Sequence, residues 1–226
     1  MKPSKYLFIL LLLIQPIFSE DWPGFGGING NFISSENKLK KTWGNQEPKK
    51  LWDHEIGLGF SSIIESKGLA YTQGYSNGKN NLYCVDVKNG EILWKSSFPC
   101  SKADDYFKGG SRSTPLWNDG NLYLSTHMGD VYCLNSQKGN IIWSLNMSKD
   151  LGGKRPTWGY AASPVIIDQQ LILVTGSSNG SLLALNKKTG KVLWKNGNYG
   201  AAYATPQRYN TTNQLLVFHE AGLSLH

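Results

Sequence analysis

The chain repeats one phrase three times: LYCVDVKNGEILW at Leu82–Trp94, VYCLNSQKGNIIW at Val131–Trp143 and LLALNKKTGKVLW at Leu182–Trp194. The shared frame is a small residue, an Asp or Asn, a Gly and a closing Trp. The copies read Cys84, Asp86, Gly90, Trp94, then Cys133, Asn135, Gly139, Trp143, then Ala184, Asn186, Gly190, Trp194. Successive Trp residues lie 49 and 51 positions apart, and Trp52, 42 positions before Trp94, fits as the end of an earlier unit. Repetition at about 40–50 residues constrains the fold strongly, because each unit must bury its apolar face on the next.

Each copy reads as a β-hairpin. The Asp or Asn starts the turn by bonding its own backbone, and the Gly supplies the positive φ. Apolar and β-branched residues flank the turn, as strands prefer. A lone hairpin is marginal, so a shared exposed Trp implies docking on a neighbour. Upstream of each hairpin stands a second phrase: SRSTPLWNDGNLYLST from Ser111, YAASPVIIDQQLILVTG from Tyr160, AAYATPQRYNTTNQLLVF from Ala201, and the degenerate GFSSIIESKGLAYTQG from Gly59. Each is a small-residue stretch, Ser or Thr, Pro, then two strands around a polar turn. Two strands here and two in the hairpin give an all-β chain of four-stranded blades, a β-propeller. A β-sandwich would give short even strands but no motif at a blade-sized period. The blades are expected at 57–98, 110–147, 158–197 and 201–226, the last incomplete, after an N-terminal segment at 20–56 that carries a closing strand.

Residues 1–19 read as a signal peptide. Lys2 and Lys5 precede the apolar run Tyr6–Ile14, Pro16 breaks it, and Ser19 is a small residue at the expected cleavage point. The run is shorter than the about 20 apolar residues of a membrane span. A periplasmic or secreted chain without a membrane span is the expectation. No cysteine stands at the cleavage point, so a lipid-attachment pattern is absent. Formal net charge is +7, or +5 without Lys2 and Lys5, and KLKK at Lys38–Lys41 is the longest basic cluster. That is too dispersed for a nucleic-acid face. Cys84 and Cys133 occupy equivalent places in two repeats and read as small buried residues, and with Cys100 the count is odd.

The frame of small residue, Asx, Gly and Trp resembles the tryptophan-docking motif of the pyrroloquinoline-quinone (PQQ) repeat propellers, exported bacterial type. DWPGFGGINGNFISSE at Asp21–Glu36 resembles their N-terminal phrase. The resemblance implies that the Trp of one blade stacks on the next, with Cys84 and Cys133 standing where Ala is usual. It also implies rings of seven or eight blades. This chain would then supply about three and a half to four blades, an incomplete part of such a ring. In the alternative, Lys49–Glu55 returns as the outer strand of the fourth blade and closes a four-bladed ring.

Two functions follow from the resemblance. One is a non-catalytic exported scaffold binding an envelope protein or glycan. It would be similar to the propeller lipoprotein of outer-membrane β-barrel assembly, but without that protein's lipid anchor. The other is a fragment of a PQQ-dependent alcohol or sugar dehydrogenase, which would need PQQ and Ca²⁺. Ca²⁺ takes six to eight oxygens, and the adjacent carboxylates Asp104 and Asp105 read as a solvated turn. His54, His127, His219 and His226 lack metal-ligand spacing. Asn146, Asn179 and Asn210 fit a glycosylation pattern that matters only in a eukaryotic host. No catalytic, cofactor or metal residues are therefore expected. The stretches before each Ser/Thr-Pro step enter the innermost strand and should line the central rim. Counting back three places from Pro gives Arg112, Ala161 and Tyr203, with Phe60 from the degenerate copy and Trp158 and Tyr160 beside them. Such an aromatic and Arg mixture favours a binding rim. Trp52, Trp94, Trp143, Trp194, Gly90, Gly139 and Gly190 are expected to be structural.

Overall fold

A computed structural model describes residues 20–37, 40–102, 108–209 and 214–226. The expected signal peptide, Asp104, Asp105 and Asn210 lie outside the described residues. The fold is all-β, in four separate antiparallel sheets. The first sheet holds β1 (Ile64–Ser66), β2 (Leu69–Ser76), β3 (Lys79–Asp86) and β4 (Ile92–Pro99). The second holds β5 (Leu116–Asn118), β6 (Asn121–Ser125), β7 (Asp130–Asn135) and β8 (Ile141–Asn146). The third holds β9 (Val165–Ile167), β10 (Gln170–Ser177), β11 (Gly180–Asn186) and β12 (Val192–Asn196). The fourth holds three strands, β13 (Gln207–Tyr209), β14 (Gln214–His219) and β15 (Gly222–Leu225). In every sheet the strands pair in chain order, as a meander.

The core lies between successive sheets. Tyr71, Leu82, Cys84 and Phe98 of the first sheet pack with Leu122, Leu124 and Leu134 of the second. Tyr123, Val131 and Cys133 meet Leu171, Leu173, Leu183 and Leu185 of the third. Ile172, Val174, Leu182 and Ala184 meet Leu215 and Val217 of the fourth. Sheets stacked this way, each on the next, are the blades of a β-propeller.

The repeated phrase forms the same hairpin each time. Oδ1 of Asp86 accepts from the Lys88 amide at 2.8 Å, and Oδ1 of Asn135 and Asn186 accept from Lys138 and Lys188 at 3.0 Å. Gly90, Gly139 and Gly190 donate back to the carbonyls of these Asx residues at 2.8, 2.8 and 2.9 Å. Their φ values are +76°, +69° and +70°. Each glycine also lies against an indole from the preceding segment. A Cβ on Gly139 would stand 2.6 Å from Cε3 of Trp94, one on Gly190 2.9 Å from Cε3 of Trp143, and one on Gly90 2.5 Å from Cγ of Trp52. The indole Nε1–H then donates to a carbonyl three residues before that glycine. The pairs are Trp52 to Val87 (3.0 Å), Trp94 to Ser136 (3.1 Å) and Trp143 to Lys187 (3.0 Å). Across the strands, Cys84 faces Trp94 and Tyr71, Cys133 faces Trp143 and Tyr123, and Ala184 faces Trp194 and Ile172. A small side chain is needed between two large ones, and a thiol serves as well as a methyl. All three cysteines are free, with Cys84 and Cys133 buried.

A second ladder joins the innermost strands. The Ser62 amide donates to Thr114 Oγ1 at 3.2 Å, the Thr114 amide to Ser163 Oγ at 2.9 Å, and the Ser163 amide to Thr205 Oγ1 at 2.9 Å. Except at Ser62, the hydroxyl precedes a Pro. It satisfies an amide at the crowded centre that no sheet ladder reaches.

The segment expected to contribute a closing strand does otherwise. Residues 49–56 form no strand, and the fourth sheet does not include them. Trp52 and Ile56 instead cover Ala70, Tyr83 and Val85 of the first sheet. Trp52 thus reproduces the contact that Trp94 and Trp143 make further along.

Candidate functional site

The residues three places before Pro115, Pro164 and Pro206, with Phe60 of the degenerate copy, converge because the hydroxyl ladder draws the four inner strands together. Phe60, Arg112, Ala161 and Tyr203 line one open cavity of about 670 Å³. The Phe60 amide donates to the Ser111 carbonyl at 2.7 Å, which sets two of these residues side by side. The Arg112 guanidinium carbon lies 5.7 Å from the centre of the Phe60 ring, within cation–π range. Thr114, Ser163 and Thr205 of the ladder, with Gln207, form the polar part of the wall.

The N-terminal phrase completes the cavity, which its sequence did not reveal. Trp22 bridges Glu65, and the Trp117 amide donates to the Pro23 carbonyl at 2.7 Å. The strap therefore runs across the first two inner strands. It then turns back on itself, the Phe32 amide donating to Gly26 at 2.9 Å. This places Phe25 and Phe32 edge to face, 5.1 Å apart, in the cavity wall. The signal available in the sequence was two Phe residues spaced around glycines.

Trp158 lies beside this cavity. Its ring stacks on Tyr203 at 5.3 Å, and it lines a neighbouring cavity of about 500 Å³ with Lys154, Arg155, Phe218 and Glu220. Tyr203 is the wall between the two. Tyr160 is not at the rim, contrary to the sequence expectation. It is 2% exposed, its hydroxyl donates to the Thr175 carbonyl at 3.1 Å, and its ring covers Gly129. Gly159, at φ +85°, turns the chain there and sends the ring between sheets two and three.

The main cavity is the one that Phe60, Arg112, Ala161 and Tyr203 line. Its described lining offers aromatic faces, hydroxyls, side-chain amides and one guanidinium, and no carboxylate. Two side-chain amides and no carboxylate fall well short of the six to eight oxygens that Ca²⁺, a hard cation, takes. Among the described residues no three His, Cys, Asp or Glu side chains gather as a metal site. The imidazole of His127 accompanies Cys100 instead, with Nε2 3.7 Å from Sγ, and burial pushes that thiol up to about 11. The Asn146 side chain is committed to a turn, donating to Asp130 at 2.8 Å and accepting from the Ser148 amide at 3.0 Å.

Outer membrane protein assembly factor BamB of Yersinia pestis is 24% identical over 172 residues, covering 72% of this chain and 40% of its own length. The dehydrogenase subunit of the quinone alcohol dehydrogenase of Komagataeibacter europaeus is 29% identical over 123 residues, 49% of this chain and 16% of that one. Among solved structures, quinohemoprotein alcohol dehydrogenase from Comamonas testosteroni superimposes with a TM-score of 0.66 at 14% identity. That match covers 88% of this chain and 35% of that chain. The chain thus spans well under half the length of these proteins. Residues 78–226 match the family described as outer membrane protein assembly factor BamB, and the chain belongs to that family of PQQ-repeat propellers.

Proposed function

We propose that this chain is a non-catalytic, exported propeller scaffold that holds a protein partner of the cell envelope at the inner-strand cavity. The observation that carries the reading is the wall of Phe25, Phe32, Phe60 and Tyr203 around Arg112. Exposed aromatic side chains beside a guanidinium are the groups from which interface hot spots are made. A partner segment with an aromatic or aliphatic anchor and a carboxylate would match them. A relative named for outer-membrane protein assembly supports a protein partner and an exported location.

The second reading is a part of a quinone-dependent alcohol dehydrogenase, favoured by the Komagataeibacter relative. PQQ and Ca²⁺ would then be its cofactors. The absence of carboxylates from the described cavity wall argues against it.

One paired experiment separates the readings. Purified protein is mixed with PQQ and Ca²⁺ and assayed for quinone absorbance and dye-linked alcohol oxidation. In parallel, crosslinked capture from an envelope extract compares the native protein with Arg112→Ala and Tyr203→Ala. The scaffold reading expects no saturable quinone binding, and one partner band lost in both variants. Saturable quinone binding with oxidation, or a partner band unchanged by both substitutions, overturns it.

A further inference from the structure

The outer strands carry a feature that blade packing does not use. In β4, Cys84 pairs with Trp94 but Val85 with Ile92, so Leu93 is an extra residue in the ladder. The same shift leaves Ile142 extra in β8 and Leu193 extra in β12. A bulge of this kind leaves its residue unpaired and re-aims the side chain. Leu93, Ile142 and Leu193 are 46%, 48% and 50% exposed, and none belongs to a core cluster. Ile92, Ile141 and Val192, one place earlier, are also exposed. Leu51 precedes Trp52 as these residues precede their own indoles, and it is 73% exposed. The indole–glycine contacts hold the hairpins side by side in one register. The apolar side chains therefore form a row along the outer edge of the propeller.

The charge around this row is one-sided. Within 49–53, 87–95, 136–144 and 187–195 stand eight exposed lysines, from Lys49 and Lys50 to Lys191 and Lys195, against two exposed acids, Asp53 and Glu91. Lysine is depleted at the core of protein–protein interfaces, so spaced apolar pairs separated by lysines suit a protein face poorly. They suit a soft anionic surface, where aliphatic groups enter the interfacial layer and each ammonium finds a phosphate.

We propose that this row is a peripheral contact surface for an anionic phospholipid bilayer. It is separate from the central cavity and does not depend on what occupies that cavity.

The test is co-sedimentation of the full chain with vesicles of phosphatidylglycerol and phosphatidylethanolamine, and with phosphatidylcholine vesicles alone. Binding is expected to the anionic vesicles at low salt, and to be lost in high salt. The triple variant Leu93→Ser, Ile142→Ser, Leu193→Ser is expected to lower partitioning about tenfold or more. Lys138→Glu and Lys188→Glu, both at exposed positions, should each lower it about fivefold or more. Near-UV circular dichroism checks that each variant keeps its fold, and the lysine variants carry the test if the triple variant does not. No binding to anionic vesicles, equal binding to phosphatidylcholine, or binding unchanged by the lysine variants overturns the proposal. A concentration-dependent dimer that the triple variant abolishes, without vesicle binding, assigns the row to a second copy and also overturns it.

Discussion

Trp143 and Trp194 close the same phrase, yet they end in different surroundings. Both hairpins turn on an Asn and a positive-φ Gly. The Trp143 indole is half-buried on Gly190, bonded to the Lys187 carbonyl of the next sheet. The Trp194 indole is 36% exposed and donates to Gln170 Oε1 of its own sheet at 2.6 Å. The fourth sheet presents no such glycine hairpin to it among the described residues. The phrase therefore specifies a hairpin by local chemistry, while the burial of its Trp is a property of the neighbour. The sheets are held by the second effect.

The largest test of that contrast is truncation of each indole. Trp143→Ala should cost about 3–5 kcal/mol, as for other large-to-small core changes. Trp194→Ala should cost about 1 kcal/mol or less. Denaturant unfolding of the two variants reads the difference directly, and equal losses would dissolve the comparison.

Next in size is the glycine side of the joint. Gly139 and Gly120 share positive φ values, +69° and +77°, but a Cβ meets Trp94 at the first and open space at the second. Gly120→Ala should cost about 1 kcal/mol from the left-handed backbone alone. Gly139→Ala should add about 1–3 kcal/mol of overpacking. The gap between the two midpoints isolates the indole contact from backbone strain.

A smaller effect belongs to the inner ladder. Ser163→Ala orphans the buried Thr114 amide and should cost about 1–2 kcal/mol. Thr205→Ala, at the less buried end, should cost less. Thermal unfolding orders them, and the reverse order would show that the ladder is not a shared support.

The smallest is a pH effect. Burial pushes the Cys84 and Cys133 thiols from 9.0 up to about 11. In the unfolded chain they ionise near 9, while in the folded chain they stay protonated to about 11. Their contribution is thus complete below pH 9 and is lost as pH rises through 11. The melting temperature should fall across that window, and less steeply in a Cys84→Ala, Cys133→Ala variant.

What the sequence made legible follows the same division. The hairpins could be read because Asp86, Asn135 and Asn186 act on residues two to four places away. The period then implied stacked sheets. The hydroxyl ladder was not legible, because Thr114 accepts from an amide 52 positions earlier and nothing local marks it. Counting from Pro located Arg112, Ala161 and Tyr203 on one wall, since the ladder repeats the same entry in each sheet. Counting gave position along the chain but not side-chain direction, and so misplaced Tyr160, which Gly159 turns inward. The expected closing strand at 49–55 failed for a related reason. Trp52 was recognised as a docking residue, but its partner, Gly90, lies in the first sheet and not the fourth.

The most direct test is a double-mutant cycle between Trp143 and Gly190. If the indole rests on that glycine, Gly190→Ala is costly in the native background. In a Trp143→Ala background the added methyl meets empty space and only the backbone strain remains. The expected coupling is about 1–2 kcal/mol. Additivity of the two substitutions within about 0.5 kcal/mol would mean that the ring and the turn do not touch, and that something other than the indole joins one blade to the next.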